Sequence, residues 1–161
     1  MRAGTLGDVR SLVHMHASCS PASVERRYLA PMPVLQHRMA ADLLCPAGGF
    51  SRVTFRDDVM AGIATVAPDP HEDDGTAEIG QLVLDRFQRQ GIGSALLTTA
   101  ASHARQLGFR RLVMSVHPDN KAVLCMVRAV ELRAMIGMQE SLIRVTISLS
   151  GGSAHLRWHA S

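Results

Sequence analysis

Apolar residues recur at helical spacing through Leu6, Val9, Val13 and Ala17, directly after the start of Thr5-Leu6-Gly7-Asp8. A hydroxyl followed three residues later by a carboxylate is a capping box, which predicts an amphipathic first helix ending near Ser18. Ser20-Pro21 repeats the start signal, since serine caps a helix and proline suits its first position. A short second helix is expected through Glu25-Arg26-Arg27-Tyr28, closed by Pro31 and Pro33, and Val34 to Leu44 reads as helical again. After Cys45-Pro46-Ala47-Gly48-Gly49 the texture changes. Arg52-Val53-Thr54-Phe55 and Val59 to Val66 are rich in β-branched residues, and the turn formers Asp57-Asp58 between them predict a hairpin.

Pro68 to Thr76 is a loop carrying Asp69, Glu72, Asp73 and Asp74. It reads as a solvated turn, with the sharper alternative of a lip that attracts a cationic substrate. Glu78 to Leu84 is the next strand, and the following helix has the apolar stripe Ile92, Ala95, Leu96, Ala100 and Leu107, ended by Gly108. Arg110 to Val116 is near-continuously apolar, as a strand buried on both faces requires. His117-Pro118-Asp119-Asn120 leads into a last helix from about Lys121, and Leu142 to Leu149 alternates as a final strand. The order is that of an α/β domain spanning residues 1–150 with a C-terminal tail, 151–161, in which Trp158 is able to dock.

Composition narrows the function. The 161 residues are 47% hydrophobic and 19% charged, the balance of one soluble domain. A net charge of +3, with Lys121 the only lysine and few aromatics, supports neither phosphate-backbone binding nor a base-stacking platform, so no nucleic-acid partner is expected. Cys19, Cys45 and Cys125 are odd in number and widely spaced, which signals neither a disulfide framework nor a zinc site and suits a reducing cytoplasm. No stretch approaches about 20 apolar residues, and the start lacks a signal-peptide core, so no membrane partner is expected. His14 and His16 are two apart on a helix and face different ways, so no metal is expected there.

The candidate chemistry lies where the strand ending at Leu84 runs through Asp85-Arg86-Phe87-Gln88-Arg89-Gln90-Gly91-Ile92-Gly93-Ser94 into a helix. Glycine lets the backbone approach a ligand, and the first N–H groups of a helix lack intrahelical partners, so the turn suits a phosphate. Gly93 is followed by Ser94-Ala95-Leu96-Leu97. That excludes a Walker loop, which needs Lys-Ser/Thr, and a dinucleotide fingerprint, which needs a third glycine.

Gln88-Arg89-Gln90-Gly91-Ile92-Gly93 resembles the Q/R-x-x-G-x-G/A motif of the GNAT superfamily of acyl-CoA-dependent N-acetyltransferases, and Asn120 resembles its second motif. The likeness spans about residues 1 to 149. Ala77 to Gln88, and the stretch from Cys19-Ser20-Pro21 to Tyr28, look most like the bacterial Pat-like protein lysine acetyltransferases. The resemblance implies a mixed, mostly antiparallel sheet with splayed fourth and fifth strands and helices on both faces. It also implies acetyl-CoA as co-substrate. Leu82, Val83 and Leu84 would pair with the pantetheine arm, the backbone from Gln88 and Arg89 through Gln90, Gly91, Ile92 and Gly93 to Ser94 would take the pyrophosphate, and Asn120 would orient the pantetheine. A backbone N–H near Val83 would polarise the thioester carbonyl. Dimers are common in the superfamily, but no residue pattern here marks an interface.

An ammonium must lose a proton before it attacks, so a base is needed. Glu78 stands where Pat-like enzymes carry a glutamate. Strand alternation puts it on one face with Gly80, Leu82 and Leu84, and Gly80 is expected to leave room for a substrate chain or a water. On the acid side the sequence departs from the pattern, because Val127 stands where many members carry a tyrosine; water serves instead, and His117 is the weaker candidate. The expected activity is direct acetyl transfer to a primary amine, a protein lysine side chain. The alternatives are a small-molecule amine as acceptor and a non-catalytic acyl-CoA sensor.

Overall fold

The computed structural model describes residues 1–72, 75–130 and 132–150, and the backbone of Arg157–Trp158. Its strands are β1 Arg2–Ala3, β2 Phe50–Arg56, β3 Val59–Pro68, β4 Thr76–Val83, β5 Arg111–Val116, β6 Arg133–Gln139, β7 Leu142–Ser148 and β8 Arg157–Trp158. Its helices are α1 Val9–Ala17, α2 Pro21–Tyr28, α3 His37–Leu44, α4 Ile92–Gln106 and α5 Lys121–Ala129. The strands form one mixed sheet in the order β1-β2-β3-β4-β5-β7-β6-β8. Every neighbouring pair is antiparallel except β4 with β5 and β6 with β8.

Local chemistry accounts for most boundaries. Asp8 accepts from the Thr5 N–H at 2.9 Å and closes the predicted capping box. The Ser20 hydroxyl accepts from the Ser23 N–H and starts α2 with Pro21 in its first turn. Asp57 and Asp58 both have positive φ, +49° and +61°, the backbone twist that a tight hairpin turn between β2 and β3 requires. Helix α3 starts at His37, three residues later than the pattern from Val34 predicts. The β6 strand is absent from the sequence reading altogether.

The helices cover both faces of the sheet. Leu12 and Met15 of α1 and Ala40 and Leu44 of α3 pack with Val53, Met60, Ile63, Leu82 and Leu84. On the other face Leu96, Leu97, Ala100, Ala101 and Ala104 of α4 pack with Ala61, Ala64, Val66, Ala77 and Ile79. The predicted α4 stripe is corrected in part, because Ala95 and Leu107 are exposed and Leu97, Ala101 and Ala104 take their place. No helix among the described residues is long and apolar enough to cross a membrane. Asp73, Asp74 and the Trp158 side chain lie outside the described residues, as does the tail apart from the β8 backbone.

Candidate active site

The site begins where two strands part. Only Thr76, Ala77 and Glu78 of β4 pair with β5, opposite Arg111, Leu112 and Val113. Beyond Glu78, β4 remains paired with β3 as far as Val83 but has no further partner on its β5 edge among the described residues. A strand edge released in this way presents backbone donors and acceptors that need partners. The Leu84 N–H is not among them, since it donates to the Ala61 carbonyl at 2.9 Å. Antiparallel alternation turns the Leu82 peptide groups the same way and those of Gln81 and Val83 toward the open edge. The expectation for the backbone of Leu82 and Leu84 is therefore corrected: the Leu82 peptide groups and the Leu84 N–H face β3, the Leu84 carbonyl accepts from the Phe87 N–H at 2.8 Å, and both residues contribute buried side chains instead. The Val83 carbonyl accepts from Gln88 Nε2 at 2.9 Å.

The glycine turn lies at the end of this edge. Arg89 and Gly91 have φ of +59° and +81°, left-handed conformations that bend the chain into α4. The first α4 hydrogen bond runs from the Ala95 N–H to the Gly91 carbonyl at 3.0 Å. The N–H groups of Arg89, Gln90, Gly91, Ile92, Gly93 and Ser94 donate to no described residue. A Cβ placed on Gly91 would meet nothing within 4 Å, so the backbone is open to a ligand at that point. A run of free donors at a helix N-terminus with open space before it is an anion cradle in physical terms. The exposed Arg89 supplies a cation beside it, whereas the Gln90 side chain donates to the Arg86 carbonyl at 3.0 Å.

Two further groups border this region. Gln81, on the α4 face of β4, has its Nε2 buried without a hydrogen-bond partner. Sequence reasoning missed it, although an amide on an otherwise apolar strand beside the glycine turn is a usable signal. Asn120 caps α5, its Oδ1 accepting from the Val123 N–H at 3.4 Å, which is a structural use of the residue assigned to the pantetheine.

Glu78 is exposed and is the last β4 residue paired with β5, at the point where the strands separate. The room expected beside it is taken. A Cβ on Gly80 would collide with Arg27 Cζ, so the guanidinium of α2 rests directly on the glycine. Burial lowers Arg27 from its ordinary value, against the raising pull of Tyr28 and Glu78. Gly80 thus accommodates an arginine from another part of the chain.

The remaining candidates separate from the site. Val127 is fully buried in the core, so the position usual for a tyrosine acid faces no substrate space. His117 is exposed, with its Nδ1 3.6 Å from the Asp119 carboxylate and accepting from the Asp119 N–H at 3.3 Å. Glu72 pairs with Arg144 at 2.6 Å, so it is not a free member of an acidic lip. His16 is buried against the Tyr28 ring at 5.7 Å, and among the described residues no three His, Cys, Asp or Glu side chains converge as metal ligands.

Splayed strands beside a glycine turn are the geometry that the resemblance implied, and the acetyltransferase (GNAT) family model matches residues 10–127. The chain belongs to the GNAT family. It is an acetyltransferase that uses acetyl-CoA as co-substrate. The fold is similar to that of the GNAT domain of S. lividans PAT, with a TM-score of 0.79 at 22% identity over 91% of this chain and 88% of that one. Salmonella typhimurium yncA, solved with acetyl-CoA, gives 0.68 at 19% identity over 95% of both chains. A phosphinothricin acetyltransferase from Sinorhizobium meliloti, also with acetyl-CoA, gives 0.70 at 18% identity over 91% of this chain and 84% of that one. No curated protein matches the chain in sequence.

Proposed function

We propose that the protein transfers acetyl from acetyl-CoA directly to a primary amine in a ternary complex, with Glu78 as general base. The observation that carries this reading is the position of Glu78, an exposed carboxylate at the apex of the β4–β5 wedge. The pyrophosphate occupies the donors from Arg89 to Ser94, and the pantetheine runs along the open edge at Gln81 and Val83. Gln88 Nε2 holds the Val83 carbonyl at 2.9 Å, so pantetheine pairing at that carbonyl requires the Gln88 amide to give way or to share the acceptor.

Glu78 takes a proton from the ammonium, directly or through one water, and the freed nitrogen lone pair attacks the thioester carbonyl carbon. The carbonyl oxygen gains the charge and is met by a backbone N–H near Val83. The C–S bond then breaks as the nitrogen gives up its second proton to water, the amide is left on the acceptor, and that water passes a proton to the coenzyme A thiolate. With Val127 in the core, no tyrosine acid is available at that position.

The acceptor implied by the α2 sequence is a lysine side chain of a protein, and the similarity to the S. lividans PAT domain is in keeping with it. The small-amine reading draws on a specific observation, the Arg27 guanidinium at Gly80, which places a cation in the path of any acceptor. A cytoplasmic location and a homodimer accord with this activity.

Thiol release from acetyl-CoA with amine acceptors tests the reaction. Glu78→Gln is expected to retain the rise in melting temperature caused by acetyl-CoA and to lose about 100-fold or more in turnover, the usual weight of a general base. Wild-type turnover in the variant overturns the assignment of the base.

A further inference from the structure

Arg27 is an unusual group to find on this strand face. A guanidinium carries five N–H donors and a permanent charge, and desolvating it without a partner is costly. Arg27 is half-buried, yet it makes no hydrogen bond and no ion pair with any described residue. It stacks over the ring of its neighbour Tyr28, 5.0 Å from Cζ to the centroid. An arginine held this way has its fork of donors unspent.

The surroundings keep it there. At its N-terminus α2 is fastened to the residue that follows the β4 edge: Asp85 accepts from the Ser20 N–H at 2.9 Å, the Ser20 hydroxyl at 2.8 Å and the Ser23 hydroxyl at 2.8 Å. Gln88 also donates to the Ser23 hydroxyl at 3.0 Å. At the other end of the helix the guanidinium rests on Gly80, where any side chain would collide with it. Two residues along the same strand face stands Glu78, the carboxylate within electrostatic reach of Arg27. The face that an acceptor must approach therefore carries a negative group at Glu78 and, one strand repeat of about 7 Å away, a positive one at Gly80.

We infer that Arg27 is a specificity-determining residue that binds a carboxylate on the acceptor, so that the preferred acceptors are amines bearing a carboxylate within a few bonds of the nitrogen. The acceptor ammonium faces Glu78 and its carboxylate faces the Arg27 fork, which is matched to two carboxylate oxygens. This rests on the acetyltransferase reading and adds the chemistry of the acceptor to it. An amino acid supplies the carboxylate directly, and a protein lysine supplies it only when an acidic residue is adjacent.

The test is thiol release from acetyl-CoA by the full chain with matched acceptors: amino acids against their decarboxylated amines, and peptides whose single lysine is flanked by aspartate against the same peptides with alanine. The carboxylated member of a pair is expected to be favoured about tenfold or more in kcat/KM, the value of a charge-assisted hydrogen bond. Arg27→Ala should remove that preference mainly through KM while keeping the acetyl-CoA melting shift, and Arg27→Lys should restore part of it. Preference within the amino-acid pairs alone identifies a small acceptor, and preference within the peptide pairs identifies a protein. Equal use of both members by the wild type, an equal loss on both in Arg27→Ala, or no turnover of any carboxylated amine overturns the inference. If acetyl-CoA also fails to raise the melting temperature, the acetyltransferase reading falls with it.

Discussion

The Asp85 carboxylate accepts the Ser20 backbone N–H at 2.9 Å across 65 positions of sequence, tying the residue that follows Leu84 to the cap of α2. The same carboxylate takes the Ser20 and Ser23 hydroxyls. Burial pushes Asp85 up, but these hydrogen bonds outweigh it and hold the carboxyl below its ordinary range. The helix that carries Arg27 is thus registered to the strand edge expected to bind pantetheine.

Asp85→Ala should consequently loosen α2 more than it loosens the sheet. The expected result is a stability loss of about 1 kcal/mol, as for an ordinary cap or exposed hydrogen bond. KM for the acceptor should rise further than KM for acetyl-CoA, because Arg27 loses its registration while the donors from Arg89 to Ser94 keep theirs. Steady-state kinetics with each substrate varied in turn measures the split. Equal changes in the two KM values would show that α2 positions the acceptor no more than the cofactor.

Gly91→Leu separates folding from acetyl-CoA binding. With φ at +81°, any side chain at this position costs about 1 kcal/mol in backbone strain. No atom lies within 4 Å of the new Cβ, so the protein itself does not clash with it. The variant should fold with a slightly lower melting temperature and lose the acetyl-CoA shift, since the side chain enters the space before the free N–H groups. Retention of the shift would place the pyrophosphate elsewhere.

Features set by neighbouring residues are legible in the sequence, and features set by tertiary contact are not. The Thr5–Asp8 box, the Ser20 cap, the Asp57-Asp58 turn and the glycine turn each depend on a few adjacent residues, and each stands where the sequence puts it. Arg133–Gln139 reads Arg-Ala-Met-Ile-Gly-Met-Gln, with little β-branching, and becomes β6 through its pairing with β7. Gly80 reads in the sequence as room for a substrate chain or a water, and the structure fills that room with a side chain. That this side chain is Arg27 follows from how α2 packs on β4, which no local pattern encodes. The direction of the Leu82 and Leu84 peptides likewise depends on the β3 register.

Asp8 sets an acid limit on the fold. Hydrogen bonding from Arg2 lowers its carboxyl from 3.8 to about 2, with burial opposing and the Thr5 donors adding to the effect. A folded-state pKa below the unfolded one gives stability that is complete above about pH 4 and is lost as pH falls toward 2. Because Arg2 is 51% exposed, the pair is partly screened, and the contribution is about 1–2 kcal/mol rather than the full linkage value. Denaturant unfolding between pH 2 and pH 6 should show this fall in the wild type and a flatter profile in Asp8→Asn. Parallel profiles would remove Asp8 from the account.

Val127→Tyr tests whether the missing acid can be restored simply by writing the family residue back. Val127 is 0% exposed, packed in the core that α5 shares with α4 and the sheet. A tyrosine there must displace neighbours and strand its hydroxyl among apolar side chains, a combination that costs about 1–3 kcal/mol by overpacking alone. The melting temperature should fall by several degrees, on the scale of about 2–4 °C per kcal/mol for a chain of this size. Thiol release with a good amine acceptor should not rise, because a phenol confined to the core cannot reach the departing sulfur. If the variant instead melts like the wild type and turns over faster, α5 has room to turn that position toward the wedge, and the exclusion of an acid from it would be wrong.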